Sequence, residues 1–192
     1  MEYCLCMNSY LITINPNEKS SVIVDEYRNK YSKCTCYKIP PHITIYPPFY
    51  LIDITEEEIL NVMKRTFGKI ESFDLRFDSV GYFEKKNNVI YFAPDKKSDE
   101  LLKNILNKTL NILDGKIKDV YADYKLSKDD FTPHITIAEK IPENEFEKIK
   151  QEIKNIKEKL KFTAKEIILY KQNQNSRIWE DVEKIKFKQK TP

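Results

Sequence analysis

The pentapeptide Pro-His-Ile-Thr-Ile occurs twice, at Pro41–Ile45 and Pro133–Ile137, and holds the only two histidines of the 192-residue chain. On a strand, side chains at i and i+2 face the same way. His42 and Thr44 therefore point together, as do His134 and Thr136, while Ile43, Ile45, Ile135 and Ile137 point to the opposite face. Each copy sinks an apolar pair into a core and lifts an imidazole and a hydroxyl onto one surface. Two such surfaces across a cleft suit in-line attack at a phosphodiester. A neutral imidazole takes a proton from the attacking oxygen, a charged one gives a proton to the leaving oxygen, and the hydroxyls donate to the phosphoryl oxygens. That chemistry needs no metal and no cofactor.

The histidines stand 92 residues apart, and a helix follows each copy, as a strand–helix pair precedes it. This pattern reads as an internal duplication of a strand–helix–strand–helix unit, with residues 1–192 forming one domain of two pseudo-symmetric lobes and one motif in each, at 42–44 and 134–136. Tyr3–Ile14 reads as the opening strand. Val22, Ile23, Tyr27 and Tyr31 mark a helix over Ser20–Tyr31. Thr55-Glu-Glu-Glu58 is a capping box opening a helix that runs through Phe67. Ile70–Phe83 and Asn88–Phe92 read as strands around a polar turn, and Ser98–Leu113 as an amphipathic helix. Lys116–Asp130 reads as a loop. Phe146, Ile149, Ile153, Ile156 and Leu160 predict a helix over Pro142–Leu160, and strands close the chain at about Phe162–Tyr170 and Ile178–Phe187. The class is α+β, with mostly antiparallel sheets lining a central cleft and helices outside.

Composition narrows the function. Three glycines leave no glycine-rich phosphate loop, and two histidines rule against a histidine-built metal centre. The cysteines form two C-x-C pairs, Cys4/Cys6 and Cys34/Cys36, whose spacing is not the C-x-x-C of zinc sites; they are expected to be buried thiols. Without an apolar run of membrane-spanning length or a basic leader, the chain is expected to be a cytoplasmic monomer that meets no membrane. Net charge is +3, but Phe146–Pro192 carries 13 Lys and Arg against 7 Asp and Glu. That basic third is a solvated face or a surface for a polyanion.

The doubled H-x-T, entered through proline, resembles the two-histidine (2H) phosphoesterase superfamily, specifically its 2'-5' RNA ligase-like branch. The likeness spans nearly the whole chain, including Asp78-Ser-Val-Gly-Tyr-Phe83 and the closing Ile167-Ile-Leu-Tyr170 strand. It implies a bilobal pseudo-two-fold fold, with His42 and His134 as the catalytic pair and Thr44 and Thr136 as phosphate-binding hydroxyls. It implies an RNA end or nucleotide carrying a 2',3'-cyclic phosphate or a 2'-5' linkage as substrate. Several relatives carry Arg shortly after the second motif, where this chain has Glu139 and Lys140, so Lys140 is the candidate cation; Tyr46 and Phe83 are candidates to stack on a base. The expected activity is that of a metal-independent EC 3.1.4-type hydrolase. The same residues would support ligation by microscopic reversibility, and a non-catalytic RNA-binding module is the rival from another class.

Overall fold

The computed structural model describes residues 8–31, 39–84, 88–121, 126–154, 156–173 and 178–190. The four cysteines lie outside the described residues. In chain order the elements are β1 (Ser9–Ile14), α1 (Glu18–Tyr31), β2 (Ile43–Leu51), α2 (Glu56–Phe67), β3 (Phe73–Phe83), β4 (Val89–Pro94), α3 (Lys96–Leu113), β5 (Ile117–Asp119), β6 (Ile135–Ala138), α4 (Glu143–Ile153), β7 (Leu160–Ala164), β8 (Glu166–Gln172) and β9 (Trp179–Lys186).

The strands form one antiparallel sheet in the order β7-β3-β4-β6-β2-β1-β8-β9, with β5 added beside β2. The two motif strands, β2 and β6, are adjacent at its centre. β1-α1-β2 on one side corresponds to β4-α3-β6 on the other, as a duplicated unit requires. The class expected from sequence is found, with one continuous sheet in place of several. Ile43, Ile45, Ile135 and Ile137 are fully buried in the main core with Phe49, Phe67, Phe77 and Phe92. α1 packs on β6 and β7, and α3 on β2, β3 and β4, so the helices cover this apolar face.

Only Lys165 separates β7 from β8, yet β7 ends the sheet on one side and β8 lies near its other end. The sheet must curl until its ends meet, and hydrogen bonds fasten them. The Ser72 amide donates to the Lys188 carbonyl at 2.8 Å, and the Lys188 amide to the Ile70 carbonyl at 2.7 Å. The face away from the helices becomes the inside of the curl. A second apolar cluster, Leu11, Ile168 and Tyr170 with Ile39 and Trp179, lies outside the main core.

The structure corrects the sequence reading in four places. α4 stops at Ile153, because Leu160 leaves the helical period to pair with Phe77 in β7. The single strand expected over Phe162–Tyr170 is two, broken at Lys165 to serve both ends of the sheet. The expected loop after Lys116 contains β5. In α1 the buried face is Ser20, Val24, Arg28 and Tyr31, while Val22 is 54% exposed. The capping box is present as read: the Glu58 amide donates to Thr55 Oγ1 at 3.2 Å, and the Thr55 amide to the Glu58 carboxylate at 2.9 Å.

Candidate active site

Each motif builds its histidine locally. Proline at the residue before holds the approach extended, and the imidazole turns back on it. His42 Nδ1–H donates to the Pro40 carbonyl at 2.8 Å, and His134 Nδ1–H to the Thr132 carbonyl at 2.7 Å. A carbonyl only accepts, so Nδ1 carries the proton and Nε2 is left to exchange one. The two motif strands reach the same tautomer by the same two-residue loop-back.

Sheet register then assembles the set. Ile43 pairs with Ile135 antiparallel, which sets His42 opposite Thr136 and Thr44 opposite His134 on one face. Directly opposed Cβ atoms lie about 4.5–5.5 Å apart. All four side chains are half-buried. Thr13 of β1 pairs with Thr44, and its hydroxyl donates to Asn15 Oδ1 at 3.0 Å; the Asn15 amide in turn donates to the Tyr170 hydroxyl at 3.0 Å. This polar chain flanks the His42 side.

The His134 side is aromatic. Phe83 meets the His134 ring edge-on with centroids 5.1 Å apart, and Tyr91 lies 5.0 Å from it. Tyr91 pairs with Gly81 on β3, and its ring lies across that residue: a Cβ added at Gly81 would come within 2.3 Å of Tyr91 Cε2. Glycine is required here because another ring occupies the space a side chain would need. Next to these groups is a cavity of about 210 Å³ lined by Thr44, Pro47, Phe83, Leu126, Asp130, Phe131 and His134, among others.

Electrostatics separates the two imidazoles. Burial pushes His42 down to about 4, and the Arg28 and His134 charges push the same way, against the hydrogen bond to Pro40. Burial also lowers His134, opposed by its bond to Thr132. Desolvation disfavours the imidazolium in both.

Of the residues singled out in the sequence, the structure brings together His42, Thr44, His134, Thr136 and Phe83. Tyr46 is a correction. The register of β1 against β2 slips between Ile12–Tyr46 and Thr13–Thr44, a bulge that turns Tyr46 to the core side. There its ring packs edge-on against Phe49 and its hydroxyl donates to Asp119 at 2.8 Å, so it does not face the cleft. Lys140 is exposed in a left-handed turn (φ 56°) two residues beyond β6, at the opposite end of that strand from His134. Sequence reasoning missed Arg28, Tyr91 and the Asp130–Phe131 wall. Arg28 alone left a signal, a cation four residues after Val24 on the face that helical spacing buries.

Among the described residues, no group of three or more His, Cys, Asp or Glu is placed to hold a metal, and no helix is long and apolar enough to cross a membrane.

Known proteins share this architecture. E. coli LigT in its complex with 3'-AMP superposes with a TM-score of 0.61 at 14% identity, covering 95% of this chain and 99% of that one. The TT0787 protein of Thermus thermophilus gives a TM-score of 0.56 at 16% identity, covering 93% and 97%. A Staphylococcus aureus (strain Newman) protein, provisionally named a phosphoesterase, is 29% identical over 138 residues, 72% of this chain and 75% of its own. The model of the 2'-5' RNA ligase superfamily matches residues 16–176. With the duplicated fold and the paired motif strands, this match places the chain in the 2'-5' RNA ligase superfamily of 2H phosphoesterases.

Proposed function

We propose that this chain hydrolyses 2',3'-cyclic phosphate or 2'-5' phosphodiester bonds of RNA or nucleotides, without a metal, by acid–base catalysis between His42 and His134. The observation that carries the reading is the Ile43–Ile135 register, which lays both H-x-T pairs side by side on one face. In this reading a phosphoryl group lies on that face, within reach of both imidazoles and both hydroxyls. The imidazoles move the two protons that an in-line displacement requires, and Thr44 and Thr136 donate to the non-bridging oxygens as charge builds on them. Residues 1–192 act in this reading as one unit, each pseudo-symmetric lobe supplying one motif.

The substrate side rests on the His134 wall. Phe83 is 37% exposed beside the cavity, with Phe131 on the cavity's lining. Aromatic faces of this kind stack on bases with about 1–3 kcal/mol each. The 3'-AMP bound in the LigT crystal is a nucleotide monophosphate, the class of molecule that opening a cyclic phosphate yields.

The test is turnover of the four nucleoside 2',3'-cyclic monophosphates and of a 2'-5' dinucleotide in the presence of a chelator. The proposal expects monophosphate product from at least one of them. Absence of product from all of them, or product only after a divalent ion is added, contradicts it.

A further inference from the structure

One carboxylate, that of Asp130, stands on the wall of the cavity beside His134. We infer that this cavity reads the edge of a nucleobase: Asp130 accepts hydrogen bonds from the adjacent N1–H and N2–H groups of guanine, so that guanosine is preferred over the other nucleosides. The inference rests on the phosphodiester reading above and names the base on the sugar that carries the phosphate.

The chain that delivers the histidine also delivers the acid. In the run Asp130-Phe131-Thr132-Pro133-His134, the Thr132 carbonyl holds His134 Nδ1 at 2.7 Å, and Phe131 is buried on the cavity lining. A local turn holds Asp130 from the other side. The Ser127 hydroxyl donates to Asp130 Oδ2, and the Asp130 amide donates to Ser127 Oγ at 3.2 Å. That occupies one acceptor site of about four on the two oxygens. Asp130 is exposed, and among the described residues no other hydrogen bond or ion pair reaches its carboxylate. Its remaining acceptor capacity is open to a ligand.

The cavity supplies the rest of a base site. Its volume, about 210 Å³, is below the roughly 300 Å³ of sites that take drug-sized ligands and suits a single flat ring system. Apart from Thr44, Thr132 and His134, which belong to the motifs and the approach to them, its lining residues are apolar, with Asp130 the exception. Phe83 and Phe131 offer ring surface to any base, because every base has a π-face. Such walls hold a base without choosing it, and the choice falls to the polar group at the edge. A base that fills the cavity takes water from the carboxylate, so one that returns no donor is penalised.

A carboxylate only accepts, and the bases differ in what they give it. The Watson–Crick edge of guanine presents N1–H and the N2 amino group side by side, two donors for two oxygens. Adenine and cytosine each set one amino group beside a ring nitrogen whose lone pair repels the second oxygen. Uracil has a single N–H between two carbonyls. Guanine alone satisfies both oxygens at once. A bidentate pair of this kind discriminates between bases by about 10- to 100-fold.

The experiment measures kcat/KM for the 2',3'-cyclic monophosphates of guanosine, adenosine, cytidine, uridine and inosine, and in parallel the Kd of the matching 3'-monophosphates. Guanosine should lead adenosine, cytidine and uridine by about 10-fold or more in both. Inosine, which keeps N1–H and lacks the amino group, should fall between. Asp130→Asn replaces one acceptor by an amide donor. It should abolish the guanosine lead and raise adenosine and cytidine, whose edges pair a donor with an acceptor as the amide does. A variant that merely misfolds raises neither. Equal values across the bases, a lead for another base, or a guanosine lead that survives Asp130→Asn overturns the inference. Should no cyclic phosphate be turned over, the functional reading itself fails, and the Kd series still decides whether the cavity selects guanine.

Discussion

Ile43 pairs with Ile135 across the centre of the sheet, and this one pairing puts His42 against Thr136 and Thr44 against His134. Neither isoleucine touches the cleft. Both are fully buried on the other face, so the candidate site is registered by residues that take no part in its chemistry. A slip of one residue would turn every motif side chain to the wrong face.

Removal of either imidazole should be severe and the pair non-additive. His42→Ala and His134→Ala are each expected to lower kcat by roughly 10²-fold or more. The double variant should be little worse than either single one, because the two act as a unit. Steady-state turnover of a cyclic nucleotide measures all three; a single variant with wild-type turnover contradicts two-histidine catalysis.

The hydroxyls separate catalysis from packing. Thr44→Val and Thr136→Val preserve shape and strand preference while deleting a donor. A drop in kcat of about 10- to 10³-fold with little change in melting is expected. The opposite pattern, altered melting with unaltered kcat in both, would mean that the threonines only pack.

Acidity of the histidines sets a pH window. Whichever imidazole is the base must be neutral, and burial lowers His42 to about 4. The acid must be protonated, and burial holds His134 under the ordinary 6.5 as well. The kcat/KM bell is therefore expected on the acid side of neutrality, more acid than histidine's ordinary pKa implies. A bound phosphate anion favours both imidazolium forms, and the kcat bell should move toward higher pH. A kcat/KM optimum above pH 7 contradicts this.

The same burial couples His42 to stability. The unfolded chain binds its proton near the ordinary value of 6.5, while the folded chain resists until about 4. Between these values the unfolded state holds more protons, so this contribution to stability falls as pH falls. His42→Gln should flatten the fall between about pH 6.5 and 5, above the range of ordinary carboxylates. Urea midpoints across that window measure it; parallel curves for the two proteins would refute the coupling.

Gly81 is predicted to be intolerant of a single methyl group. Gly81→Ala places a Cβ in the Tyr91 ring, at a cost of about 1–3 kcal/mol for overpacking. Because Tyr91 also packs on His134, turnover should fall with stability. Thermal melting and kcat on this variant check both; unchanged values for the two would show that the ring does not lie across Gly81.

Much of this was legible in the sequence because strand periodicity is strict. His42, Thr44, His134 and Thr136 alternate with isoleucines, which fixes their face with no knowledge of the partner strand. Phe83 was legible as an aromatic near the motif. Tyr46 was not, because a bulge lies in a pairing with β1 that no local pattern records. Arg28 reaches the site through an α1 face offset from the one that Val22 and Ile23 imply. The break at Lys165 was hidden for a related reason: an unbroken apolar run looks the same whether it serves one strand or two. Each miss is a long-range contact that overrode a local signal.

The fastening of residues 70–72 to residue 188 has a mechanical consequence for the cleft. A sheet joined at its middle by one residue pair would swing about that line like a hinged plate, and the gap between the imidazoles would swing with it. Tying the outer ends adds a second line of attachment, and a plate held along two lines cannot fold about either. The spacing of His42 and His134 is thus braced by a strap at the far side of the molecule. Ending the chain at Lys186 would leave every motif residue in place and loosen the jaw that aligns them.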